Sequence, residues 1–176
     1  MQNKLFRIYK KNSSEDLVEK GDLDPSFEYE MWGPSLFKVF PIKFFKMKLI
    51  IWFLFDIFNI FKSNYYRVFL VRYKGRVIHH TFIFPAFFRF PFMGENDLQI
   101  GDVWTDPSFR GRGIATIAIT NILARFSKED KTFWYVVEDT NKSSIKVVEK
   151  LGFKLVGYGK KCPRWGLYLL GFYDFI

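Results

Sequence analysis

Arg110-Gly111-Arg112-Gly113-Ile114-Ala115 is the segment of this chain whose residue types and order best suit a chemical task. It follows an extended stretch ending at Thr105 and opens a run in which Ile114, Ile117, Ala118, Ile122 and Phe126 recur at helical spacing. Glycine adopts tight backbone angles and, lacking a Cβ, lets a ligand approach the amides. The first turn of a helix leaves N–H groups without intrahelical acceptors, and its dipole favours an anion there. Arg110 and Arg112 add positive charge, while Pro107 ends the preceding strand because it cannot donate to a ladder. The segment therefore reads as a grip for a pyrophosphate. A structural turn with solvated arginines is the alternative when it is taken alone. It is neither a P-loop, lacking the Gly-Lys-Ser/Thr ending, nor a Gly-x-Gly-x-x-Gly dinucleotide fingerprint.

Several elements must position this turn. Asp97 to Thr105 predicts the strand before it, and residues 111–127 the helix after it. Thr132 to Val137 predicts a buried strand, followed by a helix with Ile145, Val148 and Leu151 on one face and Gly152 at its stop. Tyr65 to Tyr73 and Arg76 to Phe84, separated by Lys74-Gly75, predict a hairpin. Leu5 to Lys10 reads as a first strand, and Phe153 to Gly159 and Leu167 to Phe172 as the last two. A short acidic helix is expected from Ser13 to Gly21, whereas Pro25, Gly33, Pro34 and Pro41 read as breaking the chain into loops or short helical pieces. The fold class that follows is α/β: one domain over residues 1–176, with a mixed sheet of about seven strands flanked by helices.

Composition narrows the function classes. The chain has 23 Phe, 9 Tyr and 5 Trp, so rings must be buried in its core or against a partner. Its formal charge of +9 lacks the interleaved basic and aromatic pattern of a nucleic-acid motif, and no nucleic acid is expected. Between Leu36 and Arg72 the bases Lys38, Lys43, Lys46, Lys48, Lys62, Arg67 and Arg72 face only Asp56, which suits a phosphorylated substrate or an acidic lipid surface. Within this block, a basic and aromatic helical insertion at about 34–63, lies the most apolar run, Leu49 to Phe61. It is shorter than the roughly 20 residues of a bilayer span and contains Asp56 and Asn59. Lys48, Trp52, Asp56, Asn59 and Ser63 share one helical face, leaving a wide apolar arc. Residues 44–62 are thus either a deeply buried helix or a peripheral membrane contact. One cysteine, Cys162, and two histidines, His79 and His80, give no disulfide framework and no metal-ligand spacing, so no metal is expected. No signal peptide is evident after Met1, and a cytoplasmic location, peripheral at the inner face of the membrane if the helix docks there, is the expectation.

Arg110-x-x-Gly113-x-Ala115 resembles the acetyl-CoA signature of the GNAT-type N-acetyltransferase superfamily, Gln/Arg-x-x-Gly-x-Gly/Ala. Asn141 with Glu149-Lys-Leu-Gly-Phe153 resembles the second motif of that superfamily, and the two occur in the family's order. The resemblance implies a splayed mixed sheet, with two strands parting to admit pantetheine, and acetyl-CoA as the acyl donor. It further implies that Val103, Trp104 and Thr105 offer backbone groups to the pantetheine and thioester, that Arg110, Gly111, Arg112, Gly113, Ile114 and Ala115 hold the pyrophosphate, and that Asn141 approaches the coenzyme from the far side. Val103 and Trp104 as plain core residues, and Asn141 as a helix cap only, are the alternatives.

Direct transfer to an amine needs a base, a polarised carbonyl and a proton for the departing thiolate. Asp102, just before the thioester-binding residues, is the favoured base. Asp97, Glu95 and one of His79 and His80 stand behind it. Gln99 cannot act as a base. The residue matching the family's Tyr, the usual acid, is Val148, so Tyr158, Tyr168 or water is expected to replace it; Cys162 reads as an ordinary thiol. For the acceptor, the aromatic segments suit a sugar ring, and Lys43, Lys46, Arg67 and Arg72 suit phosphates. The leading expectation is an amino sugar, nucleotide- or lipid-linked, of a bacterial surface polysaccharide. Asp97-Leu-Gln-Ile-Gly-Asp-Val-Trp-Thr105 also looks like the matching stretch of GNAT-type proteins from such pathways. A peptide or small-amine acceptor and a non-catalytic coenzyme-binding module are the alternatives.

Overall fold

A computed structural model describes residues 4–14, 24–34 and 47–176. Its elements are β1 (Leu5–Asn12), β2 (Phe27–Trp32), α1 (Met47–Ile57), β3 (Arg67–Tyr73), β4 (Arg76–Pro85), β5 (Leu98–Thr105), α2 (Ile114–Arg125), β6 (Thr132–Glu138), α3 (Lys142–Lys150), β7 (Lys154–Arg164) and β8 (Leu167–Phe175). A single 3-10 turn, Pro107–Phe109, joins β5 to the glycine-rich segment. The eight strands form one mixed sheet in the order β2-β3-β4-β5-β6-β1-β7-β8, antiparallel everywhere except between β5 and β6.

Helices lie on both faces, which is why β3 and β4 are near-continuous apolar runs and not alternating ones. On one face α2 and α3 set Ile114, Ala118, Ile122, Ile145 and Val148 against Val71, Ile78, Ile100 and Tyr135. On the other, Leu49 of α1 joins Phe61, Tyr66, Phe82, Phe84, Phe87 and Phe90 in a core made largely of rings. The rings meet there in edge-on, tilted and stacked pairs 4.9 to 6.5 Å apart such as Trp52–Phe84 and Phe61–Tyr66.

Two features govern the site. β5 and β6 pair only over Leu98↔Phe133, Gln99↔Trp134 and Ile100↔Tyr135, and beyond Ile100 the two strands part. In addition β5 carries a bulge. Its pairing with β4 jumps from Phe82↔Gly101 to His80↔Trp104, so Asp102 and Val103 together oppose Thr81, and Asp102 takes φ 46.

The expected first, hairpin, central and final strands all form, and so do both helices after the glycine-rich turn. Where proline and glycine suggested loops between Pro25 and Pro34, the structure has the strand β2, so the sheet has eight strands and not about seven. Ser13 and Ser14 form a turn, and the rest of the expected acidic helix lies outside the described residues, as do residues 35–46 of the expected insertion. α1 fits neither simple expectation. Leu49 is 1% exposed and Trp52, expected on the polar face, packs against Phe84 and Phe87, while Leu54 and Ile57 point outward. Among the described residues, no helix is long and apolar enough to cross a membrane.

Candidate coenzyme and acceptor site

The parting of β5 and β6 opens a cavity of about 560 Å³ on the α2–α3 face. β5 contributes Val103, Trp104 and Thr105; the turn and α2 contribute Arg110, Gly111, Gly113, Ile114 and Ala115; α3 contributes Asn141, Ser143, Ser144 and Val147. Gly111 and Gly113 have φ 78 and 74, and a Cβ built on either would meet no atom within 4 Å. Their conformation demands glycine while the space beside them stays open, as a ligand cradle requires. Gly113 caps α2 without a side-chain bond, and the first main-chain bond closing on it runs from Ile117 N to Gly113 O, 3.0 Å. The N–H groups of Ile114, Ala115 and Thr116 thus precede any intrahelical acceptor and face an anion site.

The turn is braced from behind. Asp106, 5% exposed, accepts bonds from Ser108 Oγ (2.6 Å), Ser108 N (3.0 Å) and Arg76 Nη2 (2.6 Å), and the Ser108 bonds, with Arg76 and Arg110 nearby, hold its carboxyl below the usual range. Arg110 Nε donates to Thr105 O at 3.1 Å, tying the turn to the end of β5. The Arg112 guanidinium lies 5.1 Å from the Phe109 ring, and Arg112 is the one residue of the expected grip that does not line the cavity. Asn141 does two things: its Oδ1 accepts from Ser144 N and Ser143 Oγ as the cap of α3, and it lines the cavity.

A second cavity, of about 420 Å³, lies on the α1 face. Its walls are Trp52 and Phe55 of α1, Phe84, Phe87 and Phe90, and Tyr173 of β8, with Gln99, Gly101 and Asp102 of β5, Val136 of β6 and Arg89. Strand alternation explains the division, since Tyr135 lines the first cavity and Val136 the second. In β5 the bulge does the same, with Asp102 in the second cavity beside Val103 in the first. Arg89 sits over Trp52 and Phe87, 5.5 and 5.9 Å from their centroids, and burial lowers its pKa.

Of the expected bases, Asp102 is the one that borders either of these two cavities, and it does so from a left-handed conformation unusual for a non-glycine residue. Asp97 is a structural anchor at the closed end of the β5–β6 pair, accepting from Trp134 Nε1 and Gly94 N, each at 2.8 Å. Glu95 is exposed and paired with Lys62 at 3.2 Å. His79 is fully buried between Thr105 Oγ1 and Thr81 Oγ1, both 2.8 Å away, and burial, with His80 adjacent, pushes its pKa down to about 3. It stays neutral with both nitrogens occupied, which suits positioning Thr105 and not proton abstraction. His80 stacks on Trp104 at 5.3 Å.

Tyr158, on β7 opposite Arg7, lines neither cavity, and the side chain of Tyr168 lies outside the described residues. Val148 is wholly buried in the α2–α3 core. The tyrosine that lines the first cavity is Tyr135, at the last residue pair before the strands part; burial raises its pKa, partly offset by a bond with Ser144. Arg67 and Arg72, expected to meet phosphates, are instead engaged with the carbonyls of Asn64 and Tyr66 and with Glu30. The arginine that lines the second cavity is Arg89, in a loop without periodicity. Among the described residues no group of three His, Cys, Asp or Glu side chains could hold a metal ion.

Comparison with known proteins adds an independent line. A putative acetyltransferase of the GNAT family from Novosphingobium aromaticivorans superposes with a TM-score of 0.54 at 16% identity, over 88% of this chain and 61% of its own. A GCN5-related N-acetyltransferase from Sphaerobacter thermophilus gives 0.61 at 10% identity, over 90% and 50%. A tandem GNAT protein from the clavulanic acid biosynthesis pathway gives 0.62 at 11%, over 88% and 51%. At these identities the likeness is one of fold, and this chain spans about half to three-fifths of the length of such structures. No protein of curated description matches the chain in sequence. The profile described as the Acetyltransferase (GNAT) family matches residues 27–153, from β2 through the end of α3, and so includes every residue lining the first cavity. By that match over most of its length, the chain belongs to the GNAT acetyltransferase family.

Proposed function

We propose that the chain transfers an acetyl group from acetyl-CoA to the amine of a small acceptor, with the coenzyme on the α2–α3 face and the acceptor in the aromatic cavity. The observation that carries this reading is the parting of β5 and β6 between two cavities lined by consecutive residues of both strands. Acetyl-CoA, when bound, supplies the activated acyl group. The residues fit it: the open cradle at Gly111 and Gly113 and the first-turn amides of α2 suit its pyrophosphate. Beyond Ile100 the edge of β5 has no β6 ladder, so main-chain groups of Val103 to Thr105 are available to the pantetheine and to the oxygen that gains charge. Asp102, entering the acceptor cavity, takes the proton of the attacking amine directly or through water. Tyr135, kept protonated by burial, donates to the departing thiolate.

For the acceptor we propose an amino sugar joined to a phosphate-bearing group, such as a nucleotide- or lipid-linked sugar. The half-buried rings of Trp52, Phe55 and Tyr173 offer apolar surface to a pyranose, and Arg89 offers a charged fork for the phosphate. The experiment is release of free thiol from acetyl-CoA in the presence of nucleotide-linked amino sugars, peptides and simple amines. Turnover with a phosphate-linked amino sugar supports both parts of the reading. Turnover only with peptides sinks the acceptor assignment, and tight acetyl-CoA binding without turnover on any amine sinks the enzymatic one.

A further inference from the structure

We propose that the side-chain hydroxyl of Thr105 donates a hydrogen bond to an amide carbonyl of the pantetheine arm, and that His79, buried behind it, is the positioning residue that turns the hydroxyl proton that way. The proposal rests on the coenzyme reading above and adds to it a side-chain contact and the support for that contact.

Three polar side chains make the device. His79 stands opposite Val71 of β3 and Thr81 opposite Phe69, both members of the α2–α3 core, and on its other side His79 stands opposite Thr105 of β5. Cross-strand partners share a face, so all three project to the side of the sheet that holds the coenzyme cavity. His79 Nδ1 lies 2.8 Å from Thr105 Oγ1, and its Nε2 lies 2.8 Å from Thr81 Oγ1. His79 and Thr81 are wholly buried, whereas Thr105 is half-buried and lines the cavity.

The supply of donors fixes the direction of the two bonds. Burial keeps His79 neutral, and a neutral imidazole has one N–H and one lone pair, so one threonine accepts from the ring and the other donates to it. Among the described residues Thr81 Oγ1 has the His79 ring as its sole hydrogen-bond partner. With the proton on Nε2, Thr81 would have to accept, and its own proton would be left in dry protein without an acceptor, a costly arrangement. With the proton on Nδ1, Thr81 donates to Nε2, the Nδ1–H donates to Thr105 Oγ1, and every buried donor is used. The one proton left over is then that of Thr105, the member of the three that borders a cavity. Its place in the slot identifies the acceptor. β5 and β6 part beyond Ile100, and Thr105 O is held by Arg110 Nε, 3.1 Å away, where the glycine-rich turn begins. The stretch of coenzyme that passes Thr105 is therefore the one between thioester and pyrophosphate, and its acceptors are amide carbonyls.

The first test reads the ring itself. Long-range proton–nitrogen NMR of the wild-type chain, whose 2 histidines are told apart with His80→Gln, is expected to show His79 protonated at Nδ1 and bare at Nε2. Protonation at Nε2 overturns the proposal. The second test is calorimetry with CoA and with ADP, which carries a pyrophosphate and no pantetheine. Thr105→Val is expected to raise the Kd of CoA about threefold to tenfold and to leave that of ADP unchanged, while Thr105→Ser, which keeps the hydroxyl, restores the wild-type value. A CoA affinity unchanged in Thr105→Val overturns the contact, and so do equal losses for CoA and ADP or a serine variant as weak as the valine one. The ring measurement needs no substitution at Thr105 and decides the tautomer whether or not Thr105→Val folds. A wild-type chain that binds neither ligand sinks the coenzyme reading itself, and this proposal with it.

Discussion

Gly113 and Gly75 make a matched pair. Both have left-handed backbone, φ 74 and 73, and a Cβ built on either meets nothing within 4 Å. Gly75 lies in the β3–β4 hairpin turn with Lys74, φ 49, away from both cavities; Gly113 opens α2 in the coenzyme cavity. In each case alanine adds a Cβ in a backbone conformation that costs an L-residue about 1–2 kcal/mol, with no clash in the free protein. The two variants should therefore lose the same stability, read as similar falls in the urea midpoint. Their ligand binding should differ. At Gly113 the new methyl enters the space where a phosphate approaches the first-turn amides. Loss of one charge-assisted bond there is worth about 1.5–3 kcal/mol, or roughly a tenfold to hundredfold rise in the Kd of acetyl-CoA by calorimetry. Gly75→Ala should leave that Kd unchanged. Equal affinities in the two variants would refute the anion site at the head of α2. A much larger stability loss at Gly113 alone would show that the turn is held by its own packing and not shaped for a ligand.

Asp102→Asn is expected to lower kcat/KM by about 10²–10⁴ while acetyl-CoA affinity, measured separately, stays within error. Tyr135→Phe should reduce kcat more than it raises either Kd; an unchanged kcat would return the proton to water. Arg89→Met should raise the KM for a phosphate-bearing acceptor and not for a neutral amine of the same shape, with the coenzyme Kd as the fold control. His79 has a folded pKa near 3 against an ordinary value near 6.5, so the unfolded chain binds more protons between those limits. Its contribution to stability is full above about pH 6.5 and is lost as pH falls towards about 3, and His79→Asn should flatten the urea midpoint against pH across that window.

The glycine-rich turn and its flanking elements were legible because the determinants are local: glycines, a strand-ending proline, and one helical period from Ile114 to Phe126. β2 was lost to its neighbours, since Pro25 and Gly33-Pro34 bracket it as turn residues do. Yet Phe27–Trp32 between them pair throughout with β3 as an edge strand. Among the candidate bases, Asp97, Asp102 and His79 differ by environment and not by type. What separates them is the bulge that turns Asp102 outward, the indole that claims Asp97, and the two hydroxyls that enclose His79. None of these partners is a sequence neighbour of all three. Tyr135 was hidden inside a strand that reads simply as buried, and Arg89 inside a loop rich in Pro and Phe. The helical wheel of α1 set Trp52 with the polar residues, because a wheel cannot know that the other side of the helix faces a ring-lined cavity.

The place of β1 has a consequence for how the chain reaches this fold. β1 is inserted between β6 and β7, pairing Phe6 with Glu138 on one side and with Gly159 on the other. Those partners lie more than a hundred residues further along the chain, so β1 must wait for both until β7 has been synthesised. Contacts of such long range close slowly, because loop entropy must be lost before the ladder forms. Until β1 arrives, β6 and β7 each present a bare edge, and β6 is also one jaw of the coenzyme slot. Completion of the slot is therefore a late folding event, set by the docking of β1.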